Sequence, residues 1–348
     1  MTSPRITYGT IARATGFSKM TVSKALRNLP PISIRTRRII QQAAKRLGYR
    51  PNPMVSALMV SLRQKHPPQD TANLIYLDAH RSVTEVRASP TLRRLLQGAA
   101  TRARDLGFNL VECFIGSASF NEKRLGLMLR AQGGRGVLIG PLARLDQKIP
   151  LPWSGFTCAA LGHSLRNFPI HRAASHQFHS LNLVLSELKA RGYERIGFTS
   201  PMTMEKRSGH LWSSAFARHY LSVGQSRRVA MLLPETEDRY PVEFEKWIRR
   251  QKPDAIIGYQ ANLIERIRDA GLEAPRDLAF AALSWDSTRP ECAGVRQNLE
   301  AVGAAGIDLI ANQLNRNERG LPEHPQSVLI AGQWKEGSTV PKRAGTRA

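Results

Sequence analysis

A chain of 348 residues, 42% of them apolar, is long enough for roughly two or three domains with buried cores and too apolar for a disordered polymer. It has no apolar run of the ~18 residues that read as a membrane-spanning helix, and residues 1–17 lack the apolar centre of a secretory signal, so a cytoplasmic protein with no membrane partner is expected. The net charge is +24, and residues 1–69 hold thirteen Lys and Arg and none of the 27 acids, a block that points to a polyanionic partner.

The first helix is expected over residues 8–14, with Thr7 as N-cap and Gly16 supplying the positive φ of a tight turn. Ser18 then caps a second helix, KMTVSKAL, whose inward face carries Val22, Ala25 and Leu26. Lys19, Met20, Thr21, Ser23 and Lys24 are left to face outward. Ser33 opens a third helix with Ile39, Ile40, Ala43, Ala44 and Leu47 on its buried side, and Gly48 ends it. A short first helix, a Gly turn and a capped second helix make the helix-turn-helix layout. Asn52 and Pro53 then start a further short helix, about residues 52–62, too short to stand alone in water and suited to folding on a partner. Residues 63–72, polar and proline-bearing, read as a linker.

From Asn73 onward apolar runs alternate with amphipathic stretches. NLIYLD precedes a helix over 92–106, NLVECF a helix near 122–130, and GVLIG closes the first series. Helix 181–191, RIGFTS, helix 212–223, VAMLL, helix 243–250, AIIGY, helix 263–270 and LAFAAL form the second. This alternation predicts parallel sheets covered on both faces, in two similar α/β lobes. Residues 341–348 form a short basic tail.

The run from Ile6 to Leu58 resembles the DNA-binding head of the LacI (lactose-repressor/GalR) family of transcriptional regulators. The carrying residues are Ile11-Ala12, Gly16-Phe17-Ser18, Thr21-Val22-Ser23-Lys24-Ala25-Leu26, Thr36-Arg37 and Leu47-Gly48-Tyr49-Arg50-Pro51-Asn52. The core resembles the same family through Leu95-Leu96-Gln97-Gly98-Ala99, LKARGYERIGF (188–198), Pro275-Arg276-Asp277, Ala293-Gly294-Val295-Arg296-Gln297-Asn298 and Val302-Gly303. The resemblance implies a lambda-repressor-like, all-α helix-turn-helix head over residues 1–62 and a type I periplasmic-binding-protein-like α/β core over 73–340. The first lobe would be about 73–171 with 297–326, and the second about 172–296 with 327–340.

It also implies roles. Lys19, Met20 and Lys24 fall where the family reads base edges, a Lys suiting guanine O6 or N7 and a Met a thymine methyl. Ser18, Thr21, Ser23 and Asn28 would contact phosphates or cap helices, Tyr49 and Asn52 belong to the same DNA-binding set, and Leu58 would wedge into the minor groove. An effector would lie between the lobes, at the C-terminal ends of the strands, with Asp78, Arg207, Gln260, Trp285 and Gln297 as candidate contacts. Arg207 is expected in a loop. The chain departs from the family at the hinge (Val55-Ser56-Ala57-Leu58), after the AIIGY strand (Gln260-Ala261-Asn262), at Leu283-Ser284-Trp285-Asp286 and at His176.

Cys113, Cys158 and Cys292 lie far apart with no CxxC spacing and read as reduced, buried thiols. His171, His176 and His179 lack the convergent further donors of a metal site and read as capping or packing residues. No nucleophile elbow, zincin motif or carboxylate pair suggests an enzyme, and no cofactor or metal is expected. The implied function is a homodimeric regulator, a repressor by family habit. It would bind a pseudo-palindromic double-stranded operator and be tuned by a small molecule, with a sugar or sugar derivative as the candidate. The alternative is a cytoplasmic ligand-binding module with only non-specific DNA anchoring.

Overall fold

The computed structural model describes residues 7–26, 32–47, 49, 73–116, 121–145, 148–236 and 238–343. Expectations for Asn28, Gly48, Asn52, Leu58, the hinge helix, the linker and residues 344–348 lie outside these residues.

The head holds α1 (Tyr8–Thr15), α2 (Lys19–Leu26) and α3 (Ile34–Arg46). Local chemistry sets each boundary. The Thr7 hydroxyl accepts from the Thr10 N–H while the Thr10 hydroxyl accepts from that of Thr7, a reciprocal cap. Gly16 turns the chain at φ +74°. Ser18 Oγ accepts from the Thr21 N–H at 3.0 Å and Ser33 Oγ from the Thr36 N–H at 3.1 Å. Ile11, Val22, Ala25, Ile40 and Ala44 form the core, with Leu26 and Leu47 half-buried against it. Ile39, expected inside, is 42% exposed. Neighbouring helical residues point about 100° apart, and Ile40 with Ala44 takes the inward stripe, leaving Ile39 at its edge.

The first lobe is a six-stranded parallel sheet. Its strands are β1 (Asn73–Asp78), β2 (Asn109–Phe114), β3 (Gly134–Ile139), β4 (Thr157–Leu161), β5 (His171–Ser175) and β10 (Ser327–Ile330), in the order β10-β5-β4-β3-β1-β2. The second lobe has β6 (Ile196–Thr199), β7 (Ala255–Gln260), β8 (Ala279–Ser284), β9 (Ala293–Arg296) and β11 (Gln333–Lys335), in the order β11-β9-β8-β7-β6, with β11 antiparallel. Helices α4 (Val83–Ala88), α5 (Pro90–Asp105), α6 (Glu122–Ala131) and α12 (Leu299–Arg316) serve the first lobe. Helices α7 (Gln177–Ala190), α8 (Met202–Ser208), α9 (Leu211–Ser222), α10 (Tyr240–Gln251) and α11 (Leu263–Asp269) serve the second. Both sheets are covered on two faces, so their strands are apolar almost throughout, as in the burial of Leu74, Ile75, Tyr76 and Leu77 along β1.

Three expectations are corrected. The first crossing between lobes follows Ser175 rather than falling at His171, because β5 pairs with β4 and β10 in the first sheet. The last crossing falls at Ala331–Gly332 rather than near Gln326, since β10 extends the first sheet to Ile330. VAMLL yields only a single bridge, Leu232 to Thr199, because its other residues pack on the second-lobe core without a ladder. All three cysteines are free and buried.

Helices α5 and α12 cross at backbone contact. A Cβ on Gly98 would stand 1.9 Å from the Glu300 carbonyl oxygen, and one on Gly303 would stand 2.0 Å from that of Leu95. Ion pairs flank the crossing, with Arg94 on Glu300 through two nitrogens at 2.7 and 2.9 Å and Arg102 on Asp308 at 2.7 Å.

The second-lobe core encloses His219 on α9, edge-on to Phe216, with ring centroids 5.5 Å apart. Burial, aided by Lys189, pushes its pKa down to about 4. The unfolded chain therefore binds this proton near pH 6.5 and the folded one does not. Stability from the neutral ring is complete above about pH 6.5 and falls as pH drops towards 4. One such group changes stability by up to about 1.4 kcal/mol per pH unit. Chemical denaturation of His219→Phe between pH 4 and 7 is expected to show a shallower loss on acidification than the parent, and an unchanged slope would contradict this assignment.

Candidate nucleic-acid interface and ligand cleft

The outward face of α2 follows from its inward one. With Val22 and Ala25 buried, Ser18, Lys19 and Met20 are exposed and Thr21, Ser23 and Lys24 half-exposed. Met20 is 69% exposed, an apolar side chain that the head's own core does not use. The Lys19 stem lies over Gly9 on α1, where an added Cβ would meet Lys19 Cε at 3.3 Å. The Ser18 and Thr21 hydroxyls lie 2.9 Å apart, so these two are helix-capping residues at the positive end of α2. Tyr49 sits elsewhere. Its ring packs on Tyr8 at 5.6 Å, and its N–H donates to the Ala44 carbonyl at 2.9 Å. Burial, then its hydrogen bond with Tyr8, pushes the Tyr49 phenol up to about 12. Arg13, Arg35, Arg38, Lys45 and Arg46 are exposed around this small core.

Between the lobes lies a cleft of about 400 Å³. Three crossing segments form its hinge. The His176 N–H donates to the Ile330 carbonyl at 2.8 Å, Asn298 Nδ2 to that of Ala331 at 2.8 Å, and Ser175 Oγ to that of Gln297 at 3.5 Å. Asn298 takes a left-handed φ of +42°, which asparagine tolerates better than most residues. His176 caps α7 by accepting from the His179 N–H, and His171 Nδ1 accepts from the Gln326 N–H at 2.9 Å, so both imidazoles hold backbone.

Of the five candidate effector contacts, Arg207, Gln260 and Gln297 line this cleft. Arg207 stands on helix α8, not in a loop. Its Nη1 donates across the cleft to the carbonyls of Leu142 and Ala143 at 2.6 and 2.9 Å, tying the two lobes. Gln297 is buried, and its amide donates to the Leu283 carbonyl at 2.9 Å. Asp78 is 1% exposed and lies beneath the wall. It accepts from the His80 and Arg81 backbone N–H groups at 3.2 and 2.9 Å and from Arg81 Nη1 at 3.1 Å. Its role is to fix Arg81, which also donates to the Pro141 carbonyl at 2.6 Å and does line the cleft. Trp285 lines a second opening of about 820 Å³, together with Arg94, Asn262, Asp286 and Glu300, and Thr91, Gln260 and Leu299 line both.

Residues that sequence reasoning missed complete the cleft. His163 follows β4 after Gly162 at φ +74°, Gln177 begins α7, and Trp212 begins α9 with its ring 5.3 Å from that of Tyr259. His163 Nε2, Gln177 Oε1 and Trp212 Nε1 are buried with no hydrogen-bond partner among the described residues. Burial holds the His163 pKa below its ordinary value, and neighbouring Arg172 adds to this, so the ring is neutral near pH 7. Buried polar groups are ordinarily paired, so a wall carrying three unpaired ones is suited to a polar molecule.

Residues 9–52 match the model of bacterial regulatory proteins of the lacI family, and residues 185–340 match that of a periplasmic binding protein-like domain. A curated relative, the HTH-type transcriptional regulator PtxS of Pseudomonas plecoglossicida, is 29% identical over 157 residues, and the match spans 42% of this chain and 42% of the relative. The solved structure of the transcriptional regulator CelR–cellobiose complex is similar at a TM-score of 0.58 and 19% identity, over 96% of this chain and 100% of that one. The lac repressor dimer bound to operator and the anti-inducer ONPF is similar at 0.56 and 15% identity, over 97% and 100%. Head and core together define a helix-turn-helix module joined to a two-lobed ligand-binding core. The head is thus a lacI-family domain, and the core carries a periplasmic binding protein-like domain. No helix among the described residues is long and apolar enough to cross a membrane.

Proposed function

We propose that this protein is a sequence-specific, DNA-binding regulator of transcription that acts as a homodimer in the cytoplasm and is tuned by a small polar molecule held between its lobes. The observation that carries the reading is α2. A capped helix presents Lys19, Met20 and Lys24 outward from a head that, like the whole of residues 1–69, contains no acid. Lys19 and Lys24 donate to guanine edges or phosphates, and Met20 supplies an apolar contact for a thymine methyl. Ser18 and Thr21 orient the helix N-terminus, where backbone N–H groups favour a phosphate. Tyr49 supports this surface from the core. Asn28, Asn52 and Leu58 complete the proposed DNA-binding set. A two-fold dimer reads two half-sites, so the operator is a pseudo-palindrome.

The two-lobed core supports the sensing half. A cleft of this size suits a small ligand, and its three unpaired polar atoms ask for a hydroxylated one. Relatives described above were solved with cellobiose and with an anti-inducer bound, which supports a sugar-like effector here.

Selection of bound sequences from random duplex DNA by the full-length protein tests the reading. Enrichment of a pseudo-palindrome is expected, with Lys24→Ala weakening the selected site by about 1–3 kcal/mol if it reads a base and less if it holds a phosphate. Recovery of no motif at physiological salt would sink sequence-specific regulation and leave a non-specific DNA anchor.

A further inference from the structure

The cleft has an electrostatic imbalance. Two guanidinium groups line it, those of Arg81 and Arg207. Arg81 is neutralised by the buried Asp78 carboxylate at 3.1 Å. Arg207 has no such carboxylate partner within ion-pair distance among the described residues. Its two hydrogen bonds go to the neutral carbonyls of Leu142 and Ala143, both from Nη1, and among the described residues Nε and Nη2 carry none. Burial pushes its pKa down and the nearby Arg81 pushes further, while Tyr259 and Asp78 offset only part of this.

Among the described residues, Asp78 is shared with Arg81 and the other nearby acids add no ion pair to Arg207. Glu85 lies at the rim and is fully exposed, its carboxylate accepting from the Ser82 N–H and hydroxyl at 2.8 Å each. Glu205 is buried behind the wall on α8, where Oε2 accepts from the Ser213 N–H at 3.1 Å and burial raises its pKa, disfavouring the charged form. A desolvated, only partly compensated cation beside a cavity stabilises an anion placed there, because the pairing offsets the lost solvation of both.

The neutral groups on the same wall define the rest of the occupant. The His163 ring is neutral, and its buried Nε2 accepts or donates a hydrogen bond according to the ring's tautomer. Gln177 Oε1 is an acceptor, and Trp212 Nε1–H is a donor. Acceptors and donors together suit hydroxyl groups, which do both.

From this geometry we infer that the effector is a polyhydroxylated acid, its carboxylate or phosphate seated on Arg207 and its hydroxyls meeting His163, Gln177 and Trp212. The inference deepens the effector reading above and rests on it. Because Arg207 also ties α8 to the opposite lobe, an anion that engages Nε and Nη2 bears directly on the contact joining the two lobes.

The test is calorimetric titration of the full-length protein with D-glucuronate, D-gluconate and D-glucose 6-phosphate, beside neutral D-glucose. The carboxylates and the phosphate separate the two anionic sources. At least one acid is expected to bind about tenfold or more tightly than D-glucose, as a charge-assisted hydrogen bond allows. Arg207→Gln is expected to erase that gap and Arg207→Lys to keep part of it. Both variants are checked for parental melting, since Arg207 also joins the lobes. D-Glucose binding as tightly as every acid would overturn the anionic inference and leave the effector cleft standing. Absence of binding by any of the four would overturn both. An Arg207→Lys variant that melts as the parent yet shows no preference for acid would also overturn the role of charge.

Discussion

Gly303→Ala, the addition of one methyl group, is expected to lower the stability of the first lobe by at least about 2 kcal/mol. Alanine is the better helix former by about 1 kcal/mol, so propensity alone favours the change. Packing decides the sign. The new Cβ would lie 2.0 Å from the Leu95 carbonyl oxygen and 2.9 Å from the Ala99 nitrogen, both backbone atoms of α5 that cannot rotate away. Helices α5 and α12 must then separate, which disturbs the buried face of Leu95, Leu96, Ala99, Val302 and Ile310 and stretches the Arg94–Glu300 pair. Overpacking of this kind costs typically about 1–3 kcal/mol and more against backbone, outweighing the propensity gain. Thermal unfolding should show a Tm lowered by about 4–8 °C. Gly224→Ala is the matched control. Gly224 stands at φ −62° with nothing within 4 Å of its added Cβ, so the same chemical change there should be close to neutral. Equal Tm values for the two variants would refute the close crossing.

The head was legible because its signals are local. Thr7, Ser18 and Ser33 each precede a helix by one residue and bond the backbone three residues on, and Gly16 takes the positive φ that its place between two helices demands. The strands of the lobes were legible where burial on both faces forces an unbroken apolar run, as in NLIYLD and AIIGYQ. Strand β5, HRAAS, escaped for the converse reason. It has no β-branched or aromatic residue, and it is a strand because β4 and β10 flank it. The displaced crossings follow from that omission.

The cleft was legible only in part. Positions 163, 177 and 212 share no period, and they meet because a loop after β4, a hinge and the start of α9 converge. Asp78 has the chemistry of a ligand contact and the right place at a strand end, yet its oxygens are occupied by Arg81 and the turn that Arg81 closes. Trp285 follows the correct strand but faces the neighbouring opening. Sequence identifies which strand ends reach a cleft, whereas the direction of each side chain depends on packing that sequence spacing does not encode.

The affinity of the full-length protein for its selected operator is expected to fall by about a thousandfold or more between 50 and 200 mM monovalent salt, the loss typical of roughly six to ten phosphate contacts. The head supplies the charge for this. Residues 1–69, the head and the start of the linker, hold thirteen basic residues and not a single acid. Arg13 on α1 and Arg35, Arg38, Lys45 and Arg46 on α3 are exposed, with no carboxylate of the head to compete for them. A two-fold dimer doubles the count. Fluorescence anisotropy across a salt series gives the slope of log affinity against log salt. The same series with Lys24→Ala then separates two roles for that residue. If Lys24 holds a phosphate, the slope becomes shallower by about one per head, and scrambled and selected duplexes weaken alike. If it reads a base, the preference between those duplexes collapses while affinity for scrambled DNA barely changes. A nearly flat dependence on salt in the parent protein would contradict the placement of the DNA interface on the head, because counterion release from phosphates cannot be avoided by a surface of this charge.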